Sequence, residues 1–351
     1  MNNLPVGKRL RGQDPLSDVN IIKKLSGYDL SGYSLQGSDL SGANLVQAKL
    51  RGANLAGADL SGADLTEADL SGADLSGAHL YQTKLAGARL TGANLSHSDC
   101  TSANFLGANM SGARFNCAKL PASNLRDSKL NAADFTECDL SSADLRGAKL
   151  SGAVFNKANL NRANLTDSKL FGAKLFDVNL RNSILRGADL GAASLRNADL
   201  READMVGANL FKADLSNSLL SKSNLESAIL RSSTLSGSLV QEANFDGADM
   251  VHSRLSRADF SNASFEESNL RSSRVSGSVF TQANLKATNL MATGLNKKFT
   301  LSEFPDVAHS DKTRWDDNQF KRVSVSNAHA QTIEAEAAKR GFFTRIFTRS
   351  R

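Results

Sequence analysis

Between Leu25 and Leu295 every position divisible by five is Leu, Phe, Met or Val, with Cys100 the single exception. The beat runs for 55 consecutive pentads without an insertion or deletion. Two residues before each apolar centre stands a small residue, such as Ala43, Ala48, Ala53 and Ala58, or Ser128, Ser168, Ser223 and Ser273. The residue just before the centre is usually polar, as in Asp59, Asn94, Lys149 and Asn209, and glycine is common two residues after it, as in Gly42, Gly52, Gly57 and Gly62. A period of five fits neither a helix nor a simple strand. A large and a small inward residue alternating with polar outward ones predict a short straight side followed by a sharp corner, where glycine admits a positive φ. So short a unit cannot bury a core alone, and neighbours must stack. Four sides predict a turn of about twenty residues, and roughly fourteen turns stacked at a strand spacing of ~4.8 Å.

The segments ANLAG (53–57), ADLSG (58–62), ADLTE (63–67) and ADLRG (143–147) match A(D/N)LXX almost letter for letter. In this the chain resembles the pentapeptide-repeat family over residues 25–295. The resemblance implies an all-β solenoid, a right-handed quadrilateral β-helix of about fourteen coils, with the centre and the small residue pointing inward. A disordered low-complexity segment is excluded, because a Leu-type residue at every fifth position is a core.

The pattern divides the chain into a basic arm and capping helix (1–24), the repeat coil (25–295) and a non-repeat region (296–351). Leu16, Val19, Ile22 and Leu25 lie on one helical stripe, suited to covering the first open turn. Asn327 is an N-cap for a second helical stretch, and the tail GFFTRIFTRSR puts Phe342, Phe343, Ile346 and Phe347 on one face among Arg345 and Arg349. The formal charge of +6 is uneven: the ends carry +3 and +4, and the coil −1. The N-terminus lacks a secretory h-region, which suits a bacterial cytoplasmic protein, a peripheral membrane protein, or one delivered into a host cell without a cleaved signal.

The search for chemistry returns little. Cys100 and Cys138 fall on inward positions, and with Cys117 show no metal-type spacing. His79, His97, His252, His309 and His329 are scattered. Asp59, Asp64, Asp69 and Asp74 wrap successive faces of a convex surface with no cleft to shift their pKa. The expectation is a non-enzyme without cofactor, metal or small-molecule substrate. Phe115, Phe135 and Phe155, and likewise Phe260 and Phe280, are twenty apart and predict inward aromatic columns.

Three surfaces stand out. A basic ridge of Arg126, Lys129, Arg146, Lys149, Lys169 and Arg186 faces either an anionic surface or, with Asp127, Asp144, Asp167 and Asp189 interleaved, only solvent. Phe171, Phe176 and Phe211 project near one corner, with Gly191 forming a notch, while on a neighbouring side Leu219, Leu239 and Val279 replace the usual Asp or Asn. Such a patch marks a protein partner, a homodimer contact, or packing by the C-terminal region. The tail helix suits an anionic membrane, a partner groove, a second copy, or a cap over the last coil.

The resemblance also implies functions. Some family members protect DNA gyrase or topoisomerase IV as acidic, dimeric mimics of duplex DNA; a coil at −1 departs from that charge pattern. Others are injected effectors that recruit partners. Direct nucleic-acid binding is disfavoured, for the coil lacks interleaved basic and aromatic residues. The expectation is a protein–protein interaction scaffold, membrane-associated or an effector through its tail, with a DNA mimic and a cytosolic dimeric rod as the alternatives.

Overall fold

The computed structural model describes residues 24–293. Lys24 pairs with Asn44, Asp29 with Lys49, and so on to Asn269 with Asn289, giving fifty parallel bridges, each between residues twenty apart. Four pentads therefore complete one turn of a β-helix solenoid. Bridging begins at Lys24, one residue ahead of the boundary that the apolar pattern marks. The arm and capping helix of 1–24, apart from Lys24, and the region 296–351 with its Phe/Arg tail lie outside the described residues.

Backbone donors find partners in the same way along the coil. The centre donates to the next turn (Leu45 N–H to the Asp64 carbonyl, 2.7 Å), as does the second corner residue (Gln47 N–H to Thr66, 2.9 Å). The small residue closes the corner (Ala48 N–H to Leu45, 3.0 Å), and the polar residue donates to the preceding turn (Lys49 N–H to Tyr28, 2.8 Å). A buried ladder of this kind leaves one donor per pentad, the N–H of the first corner residue, for side chains to satisfy.

Every corner places its second residue at positive φ, as a type II turn demands. Of the 54 such positions, 33 are not glycine. They include Ala132, Glu137, Arg162 and Lys222, at φ between 55° and 63°. The left-handed conformation is imposed by the ladder, because this residue's own N–H must reach the next turn. Glycine relieves that strain without being required for the corner.

Inside, the centres and small residues stack into dry columns, from Leu25 at 1% exposure to Leu290 at 3%. Phe115, Phe135 and Phe155 stack with centroids 4.8 Å apart and planes within 10°. Phe260 and Phe280 stack at 5.1 Å, and a further pair on another side, Phe245 and Phe265, at 4.9 Å. Such pairs add about 0.5–1.5 kcal/mol each beyond area burial. Cys100 and Cys138 are buried filler: burial pushes the Cys100 thiol up to about 12 and that of Cys138 higher still, and the Cys138 thiol donates to the Phe115 carbonyl. Cys117 is exposed at a corner.

Serine replaces alanine at many inward positions, and its hydroxyl usually donates to a nearby carbonyl, as Ser98 does to Leu95 (2.7 Å) and Ser128 to Leu125 (2.6 Å). Ser233, Ser253 and Ser273 differ. They occupy one column, and their buried hydroxyls have no hydrogen-bond partner.

Candidate interaction surfaces

Where the residue before a centre is Asp or Asn, it has a structural task. Its side-chain oxygen accepts the remaining corner N–H, two residues on: Asp59 from Ser61 (2.9 Å), Asn94 from Ser96 (3.2 Å), Asp144 from Arg146 (3.2 Å). This Asx-turn geometry accounts for the preference for Asp and Asn at that place. Without any cleft, the same turn hydrogen bonds also shift some of these carboxylates. At Asp99 partial burial opposes ionisation, but the Thr101 hydroxyl, its N–H and the charges of Lys119 and His79 hold the carboxyl below its usual range. Asp64 and Asp69 are lowered in the same manner, by bonds within the turn rather than by a cleft.

In the basic ridge Lys129, Lys149 and Lys169 form consecutive bridges on one side. Arg146 folds back on Asp144, Nε to Oδ1 at 2.8 Å and Nη2 to Oδ2 at 2.5 Å, while Arg186 reaches Asp204 at 2.5 Å. A Cβ on Gly147 would stand 2.4 Å from Asp127 Oδ1, and one on Gly187 2.6 Å from Asp167 Oδ1. Acids thus lie over the ridge, and its arginines are largely engaged with them.

The apolar positions do not form one patch. Phe171, Gly191 and Phe211 share a corner column, but Phe176 stands at the following corner, one pentad later, and leads toward the side holding Leu219, Leu239 and Val279. Phe171 is 53% exposed and Phe211 38%. The Phe171 ring leans onto buried Gly191, 3.0 Å from where a Cβ would be, and so occupies part of the notch. Lys212 lies over the Phe211 ring at 5.0 Å. On the other side Leu219 bridges Leu239, but Asp259 separates Leu239 from Val279. Leu239 and Val279 are 44% and 45% exposed.

Sequence reasoning passed over three further apolar residues in the capping position, half-buried Val154 and the exposed Ile184 and Ile229. The signal was present: each breaks the Asp/Asn rule in the same register as Leu239. It also passed over a surface recess of about 330 Å³ lined by Arg231, Val251, His252, Asn269, Arg271 and Ser272, at the same corner as Phe171 but nearer the C-terminal end.

A family model described as pentapeptide repeats matches in eight copies, at residues 29–66, 53–92, 88–127, 133–172, 173–210, 208–239, 241–277 and 258–293. No curated protein matches the chain. Among solved structures it is similar to HetL, a pentapeptide repeat protein involved in heterocyst differentiation regulation from the cyanobacterium Nostoc sp. strain PCC 7120. That match has 29% identity, covers 68% of this chain and 89% of that one, and has a TM-score of 0.25. A trypsin-treated form of QnrB1, a plasmid-mediated fluoroquinolone resistance protein, is 20% identical over 60% of this chain and 94% of its own, with a TM-score of 0.24. A pentapeptide repeat protein from the Arabidopsis thaliana thylakoid lumen is 28% identical over 42% of this chain and 65% of its own, with a TM-score of 0.13.

Proposed function

Because the chain belongs to the pentapeptide-repeat family, we propose that it works as a non-catalytic scaffold whose coil presents apolar side chains to a protein partner. The coil is read as four-sided and right-handed, as the family resemblance implies. One observation carries the functional reading. Where Leu219, Leu239 and Val279 stand, the lattice calls for Asp or Asn, and an aliphatic side chain offers no acceptor to the corner N–H of Ser221, Gln241 and Thr281. Each substitution gives up a cap and exposes apolar surface at once. Both changes disfavour the isolated coil, and burial against a partner offsets them.

The test is Leu239→Asp, which restores an acceptor for the Gln241 N–H. Cross-linking in cell extract is compared for wild type and variant, alongside light scattering of the purified full chain. The reading predicts a specific protein adduct, or a dimer, that disappears in the variant while its thermal stability holds or rises. If wild type and variant give the same adducts and the same mass, the reading fails.

A further inference from the structure

Arginines at the first corner position follow a rule in this coil. Such a residue has a carboxylate two places earlier, as Arg146 pairs with Asp144 and Arg201 with Asp199, or eighteen places later, as Arg51 pairs with Asp69 and Arg186 with Asp204. Arg126 and Arg181 likewise have Asp144 and Asp199 eighteen places on, although Arg181 reaches Glu202 instead. Arg231 obeys it through Asp249 at 3.5 Å. Arg271 cannot. Its two lattice places hold Asn269 and Asn289, which carry no charge. Its guanidinium, exposed at the corner, has no carboxylate in either place, whereas every other first-corner arginine of the described coil has one in at least one of them.

The surroundings reinforce that charge. Arg254 and Arg274 bridge each other on the adjoining side, and His252 stands one turn before Ser272 at the same corner. The recess beside Arg271 has no Asp or Glu in its lining. Val251, 8% exposed, forms an apolar floor between Arg231 and Arg271. The nearby carboxylate of Asp249 already accepts from the Val251 N–H (3.2 Å) and faces Arg231. Two guanidinium groups, an imidazole, an amide and a hydroxyl thus converge on a space of about 330 Å³.

We propose that this recess binds a phosphate-type oxyanion, with Arg271 as its principal ligand and Arg231, His252, Asn269 and Ser272 around it. A guanidinium suits the group because its fork of N–H donors matches two oxygens at once. The site lies on a different side from Leu219, Leu239 and Val279, which carry the scaffold reading, and does not depend on them.

Asn269→Asp is the discriminating variant. It leaves Arg271 in place and keeps the corner capped, as Asp249 does one turn earlier, but supplies the missing intramolecular partner. Full-length protein is titrated calorimetrically with inorganic phosphate at low ionic strength, and co-sedimented with phosphatidylcholine vesicles containing phosphatidic acid. Arg271→Gln removes the ligand, and Arg51→Gln removes an equal charge elsewhere. The proposal predicts that binding weakens roughly tenfold to a hundredfold in Asn269→Asp and Arg271→Gln, the range for a charged hydrogen bond, and stays unchanged in Arg51→Gln. Binding of free phosphate identifies a soluble ligand; binding of vesicles alone, lost in Asn269→Asp, identifies a lipid headgroup. No binding in either arm, or equal binding by all four proteins, overturns the proposal.

Discussion

Gly191 lies beneath the ring of Phe171, one turn of the coil earlier, so that a Cβ at 191 would meet Phe171 Cδ2 at 3.0 Å and Asp189 Oδ1 at 3.2 Å. This φ is not in the left-handed region, so the conflict is one of space alone. The ring is half exposed and can swing aside. Gly191→Ala is expected to cost about 1 kcal/mol in stability, near the centre of the range for point substitutions. Chemical shifts of a fluorinated Phe171 should nevertheless show the ring displaced; unchanged shifts would mean that it does not rest there in solution.

The capping carboxylates predict acid sensitivity. Seven of them (Asp64, Asp69, Asp99, Asp134, Asp144, Asp199 and Asp259) sit below the ordinary value of 3.8. A folded pKa below the unfolded one means that the native coil binds those protons less readily. Their stabilisation is complete above the unfolded value and fades as pH falls through the folded values. Thermal unfolding followed by circular dichroism should show a falling midpoint below about pH 4. Replacing all seven with Asn, which keeps the acceptor and removes the charge, should flatten that part of the profile.

Ser233, Ser253 and Ser273 predict a gain from a deletion. A buried hydroxyl without a partner costs about 1–3 kcal/mol, and alanine fills the same inward position throughout the coil. Ser253→Ala should raise stability by about 1 kcal/mol, at the low end of that range, because a hydroxyl can rotate toward a carbonyl. Ser128→Ala, which breaks a bond to the Leu125 carbonyl, should not. Denaturant midpoints decide between them; equal shifts would show that the hydroxyls of that column are satisfied in solution.

The corners offer a third stability test. Ala132 sits at φ 55° and Gly62 at 65°. Ala132→Gly relieves a left-handed strain of ~1–2 kcal/mol, less the ~0.4–1 kcal/mol by which glycine loosens the unfolded chain. A net gain near 0.5–1 kcal/mol follows. Gly62→Val places a β-branched residue in the same region and should lose at least as much. Urea melts of both variants read the two signs.

Most of this architecture was legible because one number governs it. Once the centre recurs every five residues and pairing every twenty, the side of every residue follows, and the aromatic columns of Phe115–Phe155 and Phe260–Phe280 can be written down in advance. Three things could not. The capping role of Asp59 and its equivalents depends on where a side-chain oxygen reaches, which periodicity does not encode. Phe171 looked like one wall of an open notch, because nothing in the register says that its ring leans onto Gly191. The isolation of Arg271 was encoded, but only jointly, in the residues two before and eighteen after it, and neither place is remarkable until the ion pairs of Arg146 and Arg186 reveal the rule.

The unbroken twenty-residue register makes the coil a coordinate system, in which a residue's number fixes both its azimuth and its height. Removing twenty residues would excise one rung and leave every remaining side chain pointing where it did. Removing five would instead rotate everything beyond the cut by a quarter turn, carrying Arg271 to the azimuth now held by Arg126 and bringing no side chain into the wrong environment. Editing the chain in steps of five therefore dials the angle between its two halves, and because no such step interrupts the 54 described corners, the aromatic corner and the basic recess share one azimuth.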